Sequence, residues 1–240
     1  MKLLILGGTG YLGWQLYQDL KKRYSCTIGK RVKNNIYIKN FRKYIKSSDI
    51  IFFLAGPSHK QIKKKNVLDR KKILKKIKKD FTKEKLIIYY STSAKFSKDK
   101  KKFHYIQSHK LAKDYLKKNF NRSNFKIIRL SNVFGLKFLP KKKNIKSSPI
   151  NFFMHKIIKN KKIKLKTPNA LRSWITLSSF LKISNDIILN RVYSKIKSEK
   201  LKVNTFLNKL YFLYNKKTNL KNSFNKEIVE TFKILKKLNY

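Results

Sequence analysis

Leu3-Leu4-Ile5-Leu6-Gly7-Gly8-Thr9-Gly10-Tyr11-Leu12-Gly13 opens the chain, and its reading decides the fold. A short apolar run stops at glycine and gives way to a helical pattern, with Leu12, Leu16 and Leu20 at i, i+4 and i+8. Gly7, Gly10 and Gly13 form G-x-x-G-x-x-G between that strand and that helix. In such a turn the first glycine permits the tight bend and the second lets backbone N–H groups approach a pyrophosphate. The third lets the helix pack close on the strand, and the helix N-terminus adds partial positive charge. The spacing predicts a dinucleotide-binding turn made by Gly7, Thr9, Gly10, Tyr11, Leu12 and Gly13.

Further along, residues 26–29 and 36–38 read as strands on either side of a basic turn at 30–33. Residues 50–55 read as a fully buried strand before Gly56-Pro57, and residues 86–90 as another before Ser91-Thr92-Ser93. Between them, residues 60–81 carry a helical stripe of Val67, Ile73, Leu74, Ile77 and Phe81, with Lys at most other positions. A helix over 103–119 leads to a strand at 126–130. Strand and helix thus alternate four times in the first 130 residues, which predicts an α/β fold with a doubly wound parallel sheet. Beyond Gly135 the pattern loosens into Lys-rich loops and short helices, closing with an amphipathic helix over 225–238.

The composition bounds the rest. The 240 residues include 62 Lys or Arg and 11 Asp or Glu, a formal charge of +51, yet 17 Phe and 13 Tyr supply a core that a disordered basic tail lacks. Of the basic residues 54 are Lys and 8 Arg, beside 21 Asn and 4 Ala, the signature of adenine- and thymine-rich codons. Base composition therefore accounts for most of the charge, which will still attract polyanions such as RNA nonspecifically and in a salt-dependent way. The lone Cys26 excludes an internal disulfide, and His59, His104 and His155 lack ligand-spaced partners, so no metal site is expected. No apolar run approaches the roughly 20 residues of a membrane helix, and no signal-peptide pattern precedes the glycines, so a soluble, cytoplasmic chain is expected.

The end of the second strand discriminates the nicotinamide cofactors. An acid there bonds the ribose of NAD, whereas basic residues accept the 2′-phosphate of NADP. Gly29-Lys30-Arg31-Val32-Lys33 carries no acid, so Lys30 and Arg31 favour NADP over NAD.

Several further segments, in order, resemble the extended short-chain dehydrogenase/reductase family, which holds NAD(P)-dependent nucleotide-sugar epimerases, dehydratases and reductases. Leu54-Ala55-Gly56-Pro57-Ser58 is similar to the strand-end segment beside the cofactor, and Tyr90-Ser91-Thr92-Ser93-Ala94 to the one carrying the catalytic hydroxyl. Arg129-Leu130-Ser131-Asn132-Val133-Phe134-Gly135 is close to R-x-x-N-V-[YF]-G, and Arg172-Ser173-Trp174-Ile175-Thr176-Leu177 resembles R-D-[FW]-[IV]-x-V. The resemblance runs from Met1 to about Asn204. It implies a Rossmann-type domain over 1–135, completed by parts of 173–206, with a small substrate lobe from 136–172 and 207–240. It also implies cofactor contacts at Leu54, Ala55 and Gly56, and substrate contacts at Asn132 and Arg172. Ser173 stands where relatives commonly carry Asp.

In that family a Tyr moves a proton to or from a sugar oxygen, and a Lys four residues later supplies charge and holds the nicotinamide ribose. A phenol, ordinarily near pKa 10, needs such a cation to act as a base at neutral pH. Here Tyr105 is followed at i+4 by His109, with Lys110 at i+5. Lys110 is rotated by about 100° from the i+4 position and reaches Tyr105 only across a one-residue helical bulge. His109 can hold the ribose but is mostly uncharged at neutral pH. Ser93 is the expected hydroxyl partner and Thr92 its alternative. The resemblance thus implies an enzyme acting on a nucleotide-linked sugar, reductase or epimerase. Its rival is a catalytically weak cofactor binder that also takes up polyanions. Family pairing through the Lys-rich helices implies a weak homodimer.

Overall fold

The computed structural model describes residues 1–29, 41–57, 62–92, 103–138, 149–190, 198–215 and 222–237. The chain divides into two units, Met1–Leu130 and Ser131–Tyr240.

The first unit is built on five parallel strands: β1 (Lys2–Leu6), β2 (Ser25–Gly29), β3 (Ile50–Phe53), β4 (Leu86–Thr92) and β5 (Phe125–Leu130). Their order is β2-β1-β3-β4-β5. The helices are α1 (Tyr11–Leu20), α2 (Phe41–Ser47), α3 (Asp69–Lys79) and α4 (Phe103–Asn119). Apolar residues on both faces of the strands explain the doubly wound form. Leu4, Leu6, Ile51, Phe53, Ile87 and Tyr89 pack with Phe41 and Ile45 of α2, Ile73, Leu74 and Ile77 of α3, and Ala112 and Leu116 of α4. The alternate residues Leu3, Ile5, Phe52 and Ile88 are equally buried, as are Leu16 and Leu20 of α1. A side chain of this kind taken fully out of water stabilises by about 1.5–3 kcal/mol.

Several boundaries differ from the sequence expectation: the strand expected over 50–55 ends at Phe53, with Leu54 and Ala55 half-buried beyond it. The helix expected over 60–81 is a 3-10 turn at Lys64–Asn66 followed by α3. Asp69 opens α3, accepts a hydrogen bond from Asn66 Nδ2 at 3.2 Å, and sets a carboxylate at the positive end of the helix. β4 runs two residues past Tyr90, so Ser91 and Thr92 lie within the strand. The strand expected at 36–38 lies outside the described residues.

At the N-terminal end of the sheet, Lys85 Nζ donates to the carbonyls of Lys46 and Ser48, each at 2.7 Å, at the end of α2. Asn124 Nδ2 donates to the carbonyls of Lys83 and Lys85. Arg42 of α2 meets the Asp80 carboxylate through Nε and Nη2, and that hydrogen bonding holds the acid below the usual carboxylate range.

The second unit contains β6 (Asn132–Phe134), α5 (Pro149–Ile158), β7 (Leu171–Thr176), α6 (Leu177–Ile188), β8 (Glu199–Lys202), α7 (Val203–Asn215) and α8 (Ser223–Lys237). β6 and β7 are parallel, β7 and β8 antiparallel. Phe134, Trp174, Phe206 and Phe224 form an aromatic core with ring centroids 4.8–5.4 Å apart. The loops and short helices expected after Gly135 are, where described, a small sheet with helices of up to 15 residues. From the range 173–206, expected to complete the cofactor domain, β7 and β8 pair with β6 in this second sheet. Among the described residues no helix is long and apolar enough to cross a membrane.

Candidate functional site

In a parallel sheet of this order the strand sequence reverses between β1 and β3, and such switch points open a crevice at the carboxyl ends of the strands. The glycine turn sits there. Gly10 N donates to the Gly7 carbonyl at 2.9 Å, and Gly10 is the N-cap of α1, with no side-chain cap hydrogen bond. Thr9 and Gly10 are exposed, whereas Tyr11 and Gly13 are buried and Leu12 half-buried. A Cβ on Gly13 would lie 2.2 Å from the Gly7 carbonyl oxygen, so helix and turn touch backbone to backbone. Gly7 in turn presses on Leu54 and Ala55, its added Cβ lying 2.9 Å from Ala55 N. This glycine-rich turn, exposed at Thr9 and Gly10, fits a dinucleotide pyrophosphate.

The contact continues from Ala55 to α3 and α4. Gly56, at φ +130°, abuts the Arg70 guanidinium: an added Cβ would stand 2.7 Å from its Cζ and Nε. Arg70 is 4% exposed. Its Nη2 donates to the Pro57 carbonyl at 2.9 Å and its Nη1 to Ser108 Oγ at 3.0 Å. The guanidinium carbon lies 5.3 Å from the centre of the Tyr105 ring. Tyr105 is half-buried and meets the His109 ring edge-on at 4.7 Å.

His109 is 6% exposed, and its Nδ1 lies 2.6 Å from the Tyr89 hydroxyl of β4. Burial, then the positive charges of Arg70 and Lys113, hold its pKa well below the ordinary histidine range, so the imidazole is neutral. Burial also pushes the Tyr89 hydroxyl up. With the Tyr89 hydroxyl donating to Nδ1, the imidazole proton sits on Nε2, a buried atom without a hydrogen-bond partner in the structure. A ribose hydroxyl is the kind of group that would satisfy it. Lys110 is exposed on a helix that runs as regular α-helix through Asn119, without the bulge that would turn it toward Tyr105.

Thr92 ends β4, half-buried; Ser93, Lys30 and Arg31 lie outside the described residues. In the second unit, Asn132 Nδ2 donates to the Ser173 carbonyl at 3.0 Å, beside Arg172 on the neighbouring strand. Both Asn132 and Arg172 are half-buried. Tyr11 and Trp14 pack along α1, the latter against Tyr17 at 5.9 Å. The Cys26 thiol is pushed up to about 11 by burial and stays protonated. Among the described residues no three His, Cys, Asp or Glu cluster as metal ligands.

Arg70, Ser108 and Tyr89 are the members of this cluster that the sequence reading passes over. Arg70 had a signal, since with Ile73, Leu74 and Ile77 it completes an i, i+3, i+4, i+7 stripe, the buried face of α3.

No family model matches the sequence, and no curated protein matches it. Solved structures do. CapF from Staphylococcus aureus, a capsular polysaccharide assembling protein, superposes with a TM-score of 0.74 at 20% identity. That match covers 98% of this chain and 65% of CapF, so the present chain spans about two thirds of that protein's length. UDP-glucose 4-epimerase from Thermotoga maritima, solved with UDP-glucose, matches with a TM-score of 0.74 at 14% identity over 100% of both chains. UDP-glucuronic acid 4-epimerase from Bacillus cereus, in complex with UDP-glucuronic acid and NAD, gives 0.72 at 13%, covering 99% of this chain and 100% of the other. The chain therefore shares the fold of these proteins, a Rossmann-type α/β architecture.

Proposed function

We propose that the chain is an NAD(P)-dependent oxidoreductase or epimerase of nucleotide-linked sugars, with Tyr105 as the group that moves the proton. The observation that carries this reading is the unbroken line of contacts from the glycine turn through Ala55, Gly56 and Arg70 to Tyr105, in a fold shared with nucleotide-sugar epimerases. Gly7, Thr9, Gly10, Tyr11, Leu12 and Gly13 would hold the pyrophosphate, with Leu54, Ala55 and Gly56 beside the cofactor. Lys30 and Arg31 would favour the 2′-phosphate of NADP over NAD.

The bound dinucleotide supplies hydride exchange at the nicotinamide ring; the chain supplies everything else. Tyr105 takes the proton of the sugar hydroxyl as that carbon is oxidised, or returns it on reduction. Ser93, or Thr92 at the end of β4, orients the same oxygen. His109, fixed through Nδ1 by Tyr89, offers Nε2–H to the ribose. Asn132 would contact the substrate, and Arg172 its nucleotide portion. Epimerisation, with no net redox change, and net reduction, which would consume reduced cofactor supplied from outside, would use the same residues of the chain.

The test is a turnover screen of UDP-, GDP- and dTDP-linked sugars with reduced and oxidised cofactors, run on the wild type and on Tyr105→Phe. Removing a general acid–base typically costs about 10²–10⁴ in rate. Turnover should fall by that much while cofactor affinity survives. Full activity in Tyr105→Phe, or no binding of either dinucleotide, would overturn the reading.

A further inference from the structure

A single lysine in the related fold does two jobs for the tyrosine: it holds the ribose and supplies positive charge. The residue at that position here, His109, can do the first job but not the second, because burial keeps it neutral. Lys110 is exposed on the far side of a regular helix turn. A cation is nevertheless present against Tyr105. Arg70 comes from a different helix, α3, and brings its guanidinium to 5.3 Å from the ring centre.

The setting of Arg70 is unusual for a side chain of its type. It is 4% exposed, yet both its hydrogen bonds go to neutral acceptors, the Pro57 carbonyl and the Ser108 hydroxyl. Among the described residues it forms no ion pair; its neighbour Asp69 is turned to Asn66. A buried charge without a counter-charge is costly, and structures rarely keep one without an anion to meet. The approach is also built in deliberately, because Gly56 leaves no Cβ where the guanidinium lies. The negative charge that this arrangement can meet is the phenolate formed when Tyr105 gives up its proton.

We propose that Arg70 is the positioning residue that takes over the electrostatic half of the missing lysine's task. It stabilises the phenolate of Tyr105 from the α3 side, while His109 keeps the ribose half. The two tasks of one side chain are thus divided between two helices. This inference rests on the reading of Tyr105 as the proton-moving group, but its test needs no substrate. Tetranitromethane nitrates tyrosine as phenolate, so the rate of nitration at Tyr105 reports how far its ionised form is stabilised.

Peptide mapping by mass spectrometry after nitration at about pH 8 would compare the wild type with Arg70→Gln, Arg70→Met and Arg70→Lys. Tyr211, exposed on α7, serves as the internal reference. A guanidinium 5.3 Å from the ring centre attracts a phenolate, at an effective dielectric near 20, strongly enough for a rate effect of about fivefold or more. Both neutral variants should therefore slow nitration of Tyr105 relative to Tyr211 by about that factor, and Arg70→Lys should restore it. Arg70→Met keeps the apolar stem, so it reads the charge even if the Gln variant folds poorly. An unchanged rate in the neutral variants overturns the proposal. So does a faster one, which is what removal of a purely packing side chain would produce by uncovering the ring. If the slowing and its rescue are found but no nucleotide sugar is turned over, Arg70's role stands and the proposed function fails. Turnover that depends on Tyr105 with unchanged nitration does the reverse.

Discussion

Gly13→Ala is the sharpest test of the glycine turn, because what the added methyl meets is backbone and not a flexible side chain. Its Cβ would lie 2.2 Å from the Gly7 carbonyl oxygen, 2.7 Å from the Gly7 carbonyl carbon and 2.8 Å from Gly8 Cα. An ordinary contact begins at 3.4 Å, so α1 must retreat from the turn by about 1.2 Å, dragging Leu16 and Leu20 out of their seats on the sheet. Forced overpacking of this kind costs about 1–3 kcal/mol. For a chain of this size each kcal/mol lowers the melting temperature by about 2–4 °C. Thermal unfolding followed by circular dichroism should therefore show a fall of about 2–12 °C. Gly10→Ala is the control: its Cβ meets the Gly7 oxygen at 3.2 Å, which a shift of a few tenths of an ångström relieves. That variant should melt near the wild type yet bind cofactor more weakly, because its methyl sits on the exposed side of the turn. Equal melting temperatures for Gly13→Ala and the wild type would refute the backbone contact. Unchanged dinucleotide affinity in Gly10→Ala would refute the turn as the pyrophosphate site.

Three further outcomes are expected. His109 is held neutral in the fold, so below about pH 6.5 the unfolded chain binds a proton that the folded one refuses. Stability should then decline by up to about 1.4 kcal/mol per pH unit as pH falls. Melting curves from pH 7.5 to 5.5 should be flatter for His109→Gln, and identical slopes would count against the buried neutral imidazole. Fluorescence titration should show tighter NADPH than NADH binding, reversed by Lys30→Asp with Arg31→Ser; tighter NADH binding in the wild type would remove the assignment. The outer faces of α3 and α4 present Lys72, Lys75, Lys76 and Lys79, and Lys110, Lys117 and Lys118. Pairing through them should strengthen with salt as repulsion is screened. Sedimentation showing a tight dimer at low salt would place the interface elsewhere.

The first unit was largely legible because its central strands β1, β3 and β4 are buried on both faces and read as apolar runs, which no amount of surface Lys disguises. The helix expected over 103–119 has those bounds, and the glycine turn lies where its spacing put it. The second unit was harder to read. In α6 the buried residues Phe180, Leu181, Ile183, Ser184, Ile187 and Ile188 mix polar and apolar types, and α7 exposes Tyr211 and Phe212. Periodicity blurs when the core face includes serine and the outer face includes aromatics. The site divided in the same way. Tyr105 and His109 followed from their spacing and the family resemblance. Arg70 did not, because among so many cations one more on a Lys-rich helix looks like surface, although its register with Ile73, Leu74 and Ile77 set it on the inner stripe.

Lys85 and Asn124 tie a knot at the end of the sheet away from the glycine turn, and that knot bears on the order in which the unit assembles. The seven residues of α2 are too few to persist as an isolated helix. The carbonyls at its end are met by an ammonium 39 and 37 positions further along the chain, and that strand's own entry is held by Asn124, further still. α2 can therefore lock only after β4 has docked beside β3 and the turn before β5 has closed over it. The expected order is pairing of β1, β3 and β4 first, with the Arg42–Asp80 pair clamping the helix afterwards. Hydrogen exchange during refolding should find the α2 amides among the last in this unit to gain protection.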